Sequence, residues 1–414
     1  MALKVLSLFG LAVFLGLAWS LSLDRRRFPW RTVLWGLGIQ FTLAVLILKT
    51  AAGEWVFLQL QEAFLALMGF AAEGAGMVFG PLADPAALER GFGPENTFIF
   101  AVAVTSTIIL VSALSSLLYH WGVLQWLVRG AAWCMQKVMR TSGSESLAAA
   151  ANVFMGQTEA PLVVKPYLAG MTRSELLALM TGGMATIAGG VLAVYVLFGI
   201  SAGHLLTASV MSAPAALLVA KIMLPESEPS QTAAGADPGV ETGTVNSLDA
   251  LCRGAGDGMK MSINILAMLI AFVALVALAN ALLAAPQRQF GVADPVTLQV
   301  LLGWANAPFA ILIGVPPHDS VAVGQMLGER IVLNEFIAYL SLSGMEGELD
   351  ERSFILATYA LCGFANFASI AIQIGGIGTL APERRADLAR LGPRAMVGGI
   401  LAAYLTATIV GILI

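Results

Sequence analysis

Two glutamates lie inside apolar segments of the sequence, and we expect the chemistry of the protein to be organised around them. Glu159 belongs to the run Gly-Gln-Thr-Glu-Ala-Pro at 156–161, and Glu335 follows Leu-Asn at 333–334. If these segments enter a membrane, each ionisable side chain costs about 2.5–3.5 kcal/mol on insertion scales. Such a cost indicates that both carboxylates have a function.

Each glutamate follows a residue that can cap a helix, because Thr158 precedes Glu159 and Asn334 precedes Glu335. One interpretation is local: the cap side chain accepts a free backbone N–H, and the carboxylate complements the positive end of the helix dipole. Capping does not explain why either helix should begin inside the bilayer. We therefore predict that both carboxylates bind a polar ligand, a role that is compatible with capping.

Other polar and aromatic residues near the two glutamates indicate the kind of ligand. They are Gln157, Thr158, Asn366, Ser369, Phe364 and Phe367. Carboxylates accept hydrogen bonds from hydroxyl groups, and amides both donate and accept them. The sequence suggests no arginine or lysine at the same depth. A neutral ligand with several hydroxyl groups and an aromatic part therefore fits this set better than an anion.

A cation site is a second hypothesis for the same region. Asn152 and Thr186 carry small oxygen donors, and they lie near the first glutamate and near a helix interrupted at 185–190. Broken membrane helices free backbone carbonyls that can complete a sodium shell. Asparagine and threonine also join membrane helices by ordinary hydrogen bonds, so the residues alone leave both interpretations open.

The composition places these residues in a membrane protein. Of 414 residues, 58% are hydrophobic and only 12% are charged, against about 25% charged in an average soluble protein. This excludes a soluble enzyme, a disordered chain and a nucleic-acid binder, and the net charge of −4 provides no basic surface for a polyanion. The three cysteines form no CxxC motif, so neither a disulfide framework nor a zinc site is expected.

The hydrophobic runs predict an all-α polytopic membrane protein with eight transmembrane helices. The runs are at about 3–22, 32–49, 97–119, 174–199, 203–222, 262–284, 353–374 and 395–414. Arginines follow the first run rather than precede it, which favours a retained helix with its N-terminus outside over a cleaved signal peptide. The acidic stretch 50–96 is expected outside, with a helix lying in the interface. The polar segment 225–250 is expected to be a mobile cytoplasmic loop.

Two apolar segments are too interrupted to cross the membrane directly. Residues 141–170 and 316–343 each contain one of the two glutamates near the middle, and each is predicted to be a re-entrant helical hairpin. An amphipathic helix precedes each hairpin, at about 124–140 and 297–313, and a span broken by small and polar residues follows. Three spans separate the hairpins, so they enter from opposite sides and form an inverted repeat around a midplane site.

Three segments together resemble the concentrative nucleoside transporter family in its short bacterial form. They are the runs Asn152 to Leu162, Leu333 to Leu340 and Cys362 to Ala371. The resemblance extends over essentially the whole chain. It implies a secondary active symporter that imports nucleosides with a sodium gradient by an elevator mechanism.

The resemblance also implies an assembly and a location. The protein would be a homotrimer in the bilayer of the bacterial inner membrane, and it would need no cofactor besides the coupling Na⁺. The basic clusters beside the spans, rather than the resemblance, predict that both termini lie on the periplasmic side. The expected domains are scaffold helices with the external interfacial helix at 1–123, transport repeat 1 at 124–222, the cytoplasmic linker and a scaffold helix at 223–286, and transport repeat 2 at 287–414.

Roles of individual residues follow from the resemblance in the same way. Gln157, Thr158 and Glu159 would contact the nucleobase, Val191 and Phe364 would pack on it, and Glu335, Asn366 and Ser369 would bind the ribose hydroxyls. Sodium would be held by Asn152, Thr186 and the backbone carbonyls of Met155 and Ile187.

Three other functions are considered for the same residues. A proton-coupled nucleoside symporter would use Glu159 as its proton site, and an ion channel would line a pore with the two glutamates. An intramembrane hydrolase would require a nucleophile paired with a base or a set of metal-ligating histidines, and the sequence suggests no such set.

Overall fold

The computed structural model describes residues 1–93, 99–236 and 244–414, and within these ranges the regular structure is helical. In chain order the helices are α1 (Ala2–Ser20), α2 (Trp30–Lys49), α3 (Ala51–Phe79), α4 (Pro85–Phe92), α5 (Phe100–His120), α6 (Val123–Met139), α7 (Gly143–Asn152), α8 (Ala160–Val163), α9 (Arg173–Ala185), α10 (Gly189–Leu197), α11 (Ala202–Met223), α12 (Ser247–Gln289), α13 (Leu298–Ile313), α14 (Ser320–Val332), α15 (Glu335–Gly344), α16 (Glu351–Leu361), α17 (Phe367–Leu380) and α18 (Arg385–Leu413). The all-α class is therefore confirmed.

Eight helical segments among the described residues are long and apolar enough to cross a membrane. Seven of them coincide with predicted spans, although the predicted first residues of the span at 97–119 lie outside the described ranges. The eighth is Ala51–Phe92, which includes α3, whereas the predicted span 353–374 is divided between α16 and α17. The number of candidate spans therefore equals the predicted eight, although one unpredicted segment is included and one predicted span is absent among the described residues.

Helix α3 contacts the start of α11. The Ser201 hydroxyl, just before α11, donates to Gln61 Oε1 over 3.2 Å, and the Phe57 ring lies 5.0 Å from the His204 ring. Ser201 precedes α11 and His204 lies in its first turn, so both contacts are made with the start of α11. The interfacial orientation predicted for this segment stays a prediction, because length and composition would also allow a crossing helix.

Hairpin 1 consists of α7, a tip without regular helix at 153–159, the short α8 and a 3₁₀ helix, Lys165–Gly170. Pro166 explains why α8 stops early, because a proline disfavours helical geometry at the residue before it. The predicted cap by Thr158 is wrong. The carbonyl of Gly156 already accepts the N–H groups of Glu159 and Ala160, so backbone bonds close this turn.

Hairpin 2 consists of α14 and α15, joined by only two residues at 333–334. Here the predicted cap is confirmed, because Asn334 Oδ1 accepts the Ile337 N–H over 2.9 Å. A side-chain cap allows α15 to begin directly after the turn, so Glu335 occupies the first helical position.

Both helices that follow the hairpins are broken where the sequence predicts. The first break separates α9 from α10 at 186–188, and the second separates α16 from α17 at 362–366. Gly363 brings the two breaks together, because a Cβ atom at this position would lie 2.7 Å from the Met184 carbonyl oxygen. Its φ of 136° also requires glycine.

Part of the predicted mobile loop at 225–250 is attached to the rest of the structure, although most of its described residues are exposed. Residues 237–243 lie outside the described ranges, and α12 begins already at Ser247. The Thr232 carbonyl accepts the Gly143 N–H over 2.9 Å, and the Thr232 hydroxyl accepts the Ser144 N–H over 3.1 Å. These bonds attach the first part of the loop to the base of hairpin 1, because the N-terminal N–H groups of α7 have no partners within the helix.

Two groups of helices form the surroundings of the hairpins. Helix α12 packs mainly on α5, and Gly254 and Gly258 make this possible, since a Cβ at either position would lie within 3.0 Å of α5 atoms. Helices α1 and α2, placed with the scaffold at 1–123 by sequence, pack instead on α18 and α11 respectively.

Candidate functional site

A cavity of about 1070 Å³ lies between the hairpin tips and helix breaks on one side and the α5–α12 pair on the other. It extends from Glu335 and Asn366 to Tyr119 and Thr244, at the end of the molecule that carries the linker. All eight residues predicted to bind substrate line it, namely Gln157, Thr158, Glu159, Val191, Glu335, Phe364, Asn366 and Ser369. The structure thus brings together residues from four separate segments.

Glu335 is held between two hydrogen-bond donors. Asn366 Nδ2 donates to its Oε2 over 3.0 Å, and the Tyr195 hydroxyl donates to its Oε1 over 3.2 Å. The side chain is only 6% exposed, so these bonds fix its direction. Each carboxylate oxygen can accept about two hydrogen bonds, which leaves acceptor capacity towards the cavity.

Asn366 uses both ends of its amide, which explains why an asparagine suits this position. Its Oδ1 accepts the Ser369 N–H over 2.9 Å and thereby caps α17, while its Nδ2 remains free to donate to Glu335. An aspartate would cap the helix equally well, but it would present a second negative oxygen to Glu335. The start of α17 and the start of α15 are therefore joined through one side chain.

The opposite part of the cavity is built from amide and hydroxyl groups. Gln157 Nε2 donates to the Ser369 hydroxyl over 3.0 Å, and Gln373 Nε2 donates to Gln157 Oε1 over 3.1 Å. Glu159 Oε2 accepts the Gly156 N–H over a longer 3.4 Å. Thr158 and Glu159 are exposed to the cavity, so they can meet a ligand with little rearrangement.

Sequence reasoning missed Tyr195 and Gln373, which hold Glu335 and Gln157 in place. A signal for both was present. Tyr195 follows Val191 by four residues and Gln373 follows Ser369 by four residues, so each shares a helix face with a predicted site residue. Phe367, expected to add an aromatic face, is 58% exposed and does not line the cavity.

The expectation of no cationic side chain at this depth is wrong. Arg330 on α14 is fully buried, and its guanidinium donates to the carbonyls of Ala360 and Gly363 at the second helix break. Arg330 does not line the cavity. Three other basic residues do line it, Lys165 on the 3₁₀ part of hairpin 1 and Arg253 and Lys260 on α12. None of the three belongs to a hairpin tip or a helix break, so the part of the pocket around Glu335 and Gln157 still suits a neutral ligand.

The predicted cation ligands belong to hairpin 1 and to the first helix break, and these two segments are in contact, because a Cβ at Gly156 would lie 3.2 Å from the Ala188 Cβ. Asn152 ends α7 and is fully buried; its Nδ2 donates to the Ala148 carbonyl, whereas its Oδ1 has no partner within the described ranges. A Cβ at Gly182 would lie 3.1 Å from Asn152 Nδ2, and the Thr186 hydroxyl donates to the Gly182 carbonyl over 2.9 Å. Asn152 therefore contacts α9 at Gly182, which is one helical turn before Thr186.

The two backbone carbonyls predicted to complete the cation site are in suitable segments. Met155 lies in the irregular tip of hairpin 1 and Ile187 lies in the break, and the described part of the chain provides no hydrogen bond to either carbonyl. An unpartnered buried amide oxygen beside free carbonyls is costly. These residues fit a hard, oxygen-preferring cation such as Na⁺.

Comparisons with known proteins agree with this geometry. Family models for the C-terminal part and the N-terminal part of Na⁺ dependent nucleoside transporters match residues 204–411 and 9–82, and a model described as nucleoside recognition matches residues 101–202.

Individual relatives cover the whole chain. An uncharacterized transporter of Bacillus subtilis, YutK, is 42% identical over 98% of both chains. Sodium/nucleoside cotransporter 1 of Rattus norvegicus is 39% identical over 99% of this chain, which corresponds to 64% of that longer protein. Among solved structures, CNTnw in an inward-facing substrate-bound state gives a TM-score of 0.93 at 38% identity, covering 99% of this chain and 97% of that one. An outward-facing CNTnw variant also gives 0.93. The chain belongs to the concentrative nucleoside transporter family.

Proposed function

We propose that the protein is a sodium-coupled symporter that imports nucleosides across a bacterial plasma membrane. The observation that carries the proposal is the convergence of both hairpin tips and both helix breaks on one cavity lined by all eight predicted site residues. Broken helices that meet at the membrane midplane are the usual substrate site of inverted-repeat transporters.

The proposed substrate pose follows from the hydrogen-bonding capacity of the two halves of the cavity. Glu335, oriented by Asn366 and Tyr195, accepts hydrogen bonds from the ribose hydroxyls, and Ser369 adds a hydroxyl beside them. Gln157, Thr158 and Glu159 face the nucleobase, whose polar edge needs both donors and acceptors. Val191 and Phe364 pack on the faces of the base.

Sodium is proposed to bind between Asn152, Thr186 and the carbonyls of Met155 and Ile187. The unpartnered Asn152 Oδ1 supports this assignment, because ion binding would satisfy it. Binding here would join the tip of hairpin 1 to the helix break and so orient Gln157 and Glu159 towards the nucleobase. Coupling is reciprocal, because an ion that tightens nucleoside binding must itself be tightened by nucleoside to the same extent.

The proposed transport movement is an elevator movement of the hairpin-bearing helices past the α5–α12 pair. The cavity lies along this contact and extends towards the linker, which corresponds to an inward-open arrangement when both termini are outside. We assign α1 and α2 to the moving part because they pack on α18 and α11. The boundary at residue 123 expected from the sequence is thereby shifted.

A homotrimer is proposed from the outer face of α12. Large apolar side chains such as Ile270 and Leu282 are 74% and 67% exposed along this long helix. In a trimer, this face would pack on neighbouring copies and leave the hairpin-bearing helices at the periphery, where they can move through lipid. The mass of the purified complex in a mild detergent tests the assembly.

Uptake into proteoliposomes tests the function. Labelled uridine uptake is measured with an inward Na⁺ gradient, an inward H⁺ gradient and no gradient, and then repeated with adenosine. Accumulation driven only by Na⁺ supports the proposal, whereas accumulation driven only by H⁺ retains the nucleoside site and refutes the sodium site. A steady current without nucleoside would indicate a channel, and absence of uptake of both nucleosides by folded protein refutes the substrate assignment.

A further inference from the structure

Arg330 is a fully buried charged side chain of the second repeat, and the proposed transport cycle does not yet explain its position. It is fully buried on α14, near the end of the entering half of hairpin 2. Its Nη1 donates to the Ala360 carbonyl over 2.5 Å, and its Nε donates to the Gly363 carbonyl over 3.3 Å. These carbonyls belong to the end of α16 and to the break that follows.

A broken helix leaves its last carbonyls without partners, and they carry the negative end of the helix dipole. A cation at that point satisfies the carbonyls and is stabilised by the dipole. The guanidinium is suited to this position because its planar, fork-shaped donors can reach two carbonyls at once. Arg330 therefore stabilises the break at the residues that precede Phe364 and Asn366.

The first repeat has a different solution at the corresponding place. Its entering half-helix α7 ends at Asn152, which lies against the end of α9, as Arg330 on α14 lies against the end of α16. Asn152 brings only a neutral amide, whose oxygen is unpartnered among the described residues. One repeat thus has a built-in cation at its helix break, and the other has an arrangement of oxygens that can receive one.

We propose that Arg330 is the fixed cation of the second repeat, a positioning residue that holds the helix break, and with it Asn366 and Phe364, in the geometry that binds nucleoside. The guanidinium replaces at the second break the ion that binds at the first. Half of the substrate site is consequently formed before any ion binds, and only the half built on hairpin 1 depends on sodium.

The charge of Arg330 has a counterpart in the same half of the site. The guanidinium is opposite in charge to the Glu335 carboxylate, which is also buried and is joined to the break through Asn366. Each of these two buried charges reduces the cost of the other, because an isolated charge in the interior is very unfavourable. Removing the guanidinium would therefore affect Glu335 and the backbone of the break together.

The inference rests on the proposed function, and its test separates nucleoside binding from sodium binding. Uridine binding is measured by calorimetry at saturating Na⁺, and sodium binding is measured without nucleoside as the Na⁺-dependent shift in thermal unfolding. The variants are Arg330→Gln and Arg330→Lys. Leu327→Ala is the control, because it opens a fully buried position on the same helix without removing a donor to the break.

For Arg330→Gln we expect the uridine Kd to rise about ten-fold or more, in keeping with the loss of hydrogen bonds from a charged donor, while the sodium midpoint stays at the parent value. Arg330→Lys keeps the positive charge but loses the planar set of guanidinium donors, so its uridine Kd should lie between those of the parent and Arg330→Gln. Leu327→Ala should unfold at a lower temperature and keep the parent Kd.

Two results would overturn the inference: a parent-like uridine Kd in Arg330→Gln, or a weakening of Na⁺ and uridine binding by equal factors, which a merely structural role would produce. If Arg330→Gln does not fold, the uridine Kd of Arg330→Lys tests the inference. A parent-like Kd in Arg330→Lys contradicts a positioning role for the guanidinium donors. Parent protein that binds neither uridine nor adenosine refutes the proposed function itself and is recognised before any variant is compared.

Discussion

Replacing Glu335 with glutamine tests the centre of the proposed substrate site. Each carboxylate oxygen already accepts one bond, from Asn366 Nδ2 at 3.0 Å and from the Tyr195 hydroxyl at 3.2 Å. The remaining acceptor positions are those proposed for ribose. Glutamine converts one oxygen into a donor and removes the negative charge, so at least one ribose bond is lost and another is weakened.

The size of the effect follows from the type of bond. A hydrogen bond to a charged group contributes about 1.5–3 kcal/mol, which corresponds to a rise in the uridine Kd of about 10- to 150-fold. The loss should fall on ribose hydroxyls specifically. Uridine, 2′-deoxyuridine and 3′-deoxyuridine are therefore bound to parent and Glu335→Gln protein at saturating Na⁺, and the penalty for each missing hydroxyl is compared.

In the parent, at least one deoxynucleoside should bind much more weakly than uridine, and this difference should shrink in the variant. Glu329→Gln is the matched control, because Glu329 is another buried carboxylate of hairpin 2 that does not line the cavity. If Glu335→Gln and Glu329→Gln bind uridine equally well at similar stability, the assignment of ribose to Glu335 is refuted.

Three further predictions concern the ion, the scaffold and the buried charges. Asn152→Ala should raise the Na⁺ concentration for half-maximal uridine uptake by about ten-fold, since the contact between the neutral amide oxygen and the cation is lost. Gly254→Ala should lower the stability measured by thermal unfolding by about 1–3 kcal/mol through overpacking, because its Cβ would lie 2.6 Å from the Ser112 carbonyl oxygen, whereas Gly256→Ala should not. Lys221→Met should cost about 3–5 kcal/mol because it leaves Glu145, 2.7 Å away, as an unpaired buried charge, and adding Glu145→Gln should restore most of the loss.

Each of these predictions has a result that contradicts it. Asn306→Ala is the control for Asn152→Ala, because Asn306 Nδ2 donates to the carbonyl four residues earlier in the same way but lies on α13. Equal sodium dependence of uptake in Asn152→Ala and Asn306→Ala would contradict the assignment of the sodium site to Asn152. Equal unfolding temperatures for the two glycine variants would contradict the close α5–α12 contact, and a double variant as unstable as Lys221→Met would contradict the charge argument.

One part of the candidate site, the start of α15, could be predicted from the sequence because it depends on a local signal. Asn334 was predicted to cap a helix, and it does, so Glu335 could be placed at a helix start within the membrane. Thr158 carries the same type of signal, but it fails there because the Gly156 carbonyl closes the turn first. Capping preferences rank side chains against one another and cannot show that a backbone group competes for the same N–H donors.

Long-range contacts account for most of what the sequence could not predict. The charged start of α12 at Ser247 was assigned to a loop, because its hydropathy is low and its partner α5 lies more than a hundred residues earlier. Thr232 was assigned to a mobile segment for the same reason, although it completes the start of α7. Both segments acquire their structure from a distant surface, which periodicity alone does not reveal.

The two hairpins differ in a way that explains how an ion can control a symmetric fold. The tip of hairpin 2 has two residues, is capped by Asn334 and, on our proposal, faces a break held by Arg330. The tip of hairpin 1 has seven residues without regular helix, and Asn152, directly before the tip, has an unpartnered side-chain oxygen among the described residues. On the proposed sodium site, an ion bound at hairpin 1 would form contacts with the Asn152 oxygen that the protein does not already make, and we therefore assign the free energy of coupling to this hairpin. A protein with a fixed cation at both helix breaks would bind nucleoside independently of sodium. A protein with a fixed cation at neither break would need two ions to form the site.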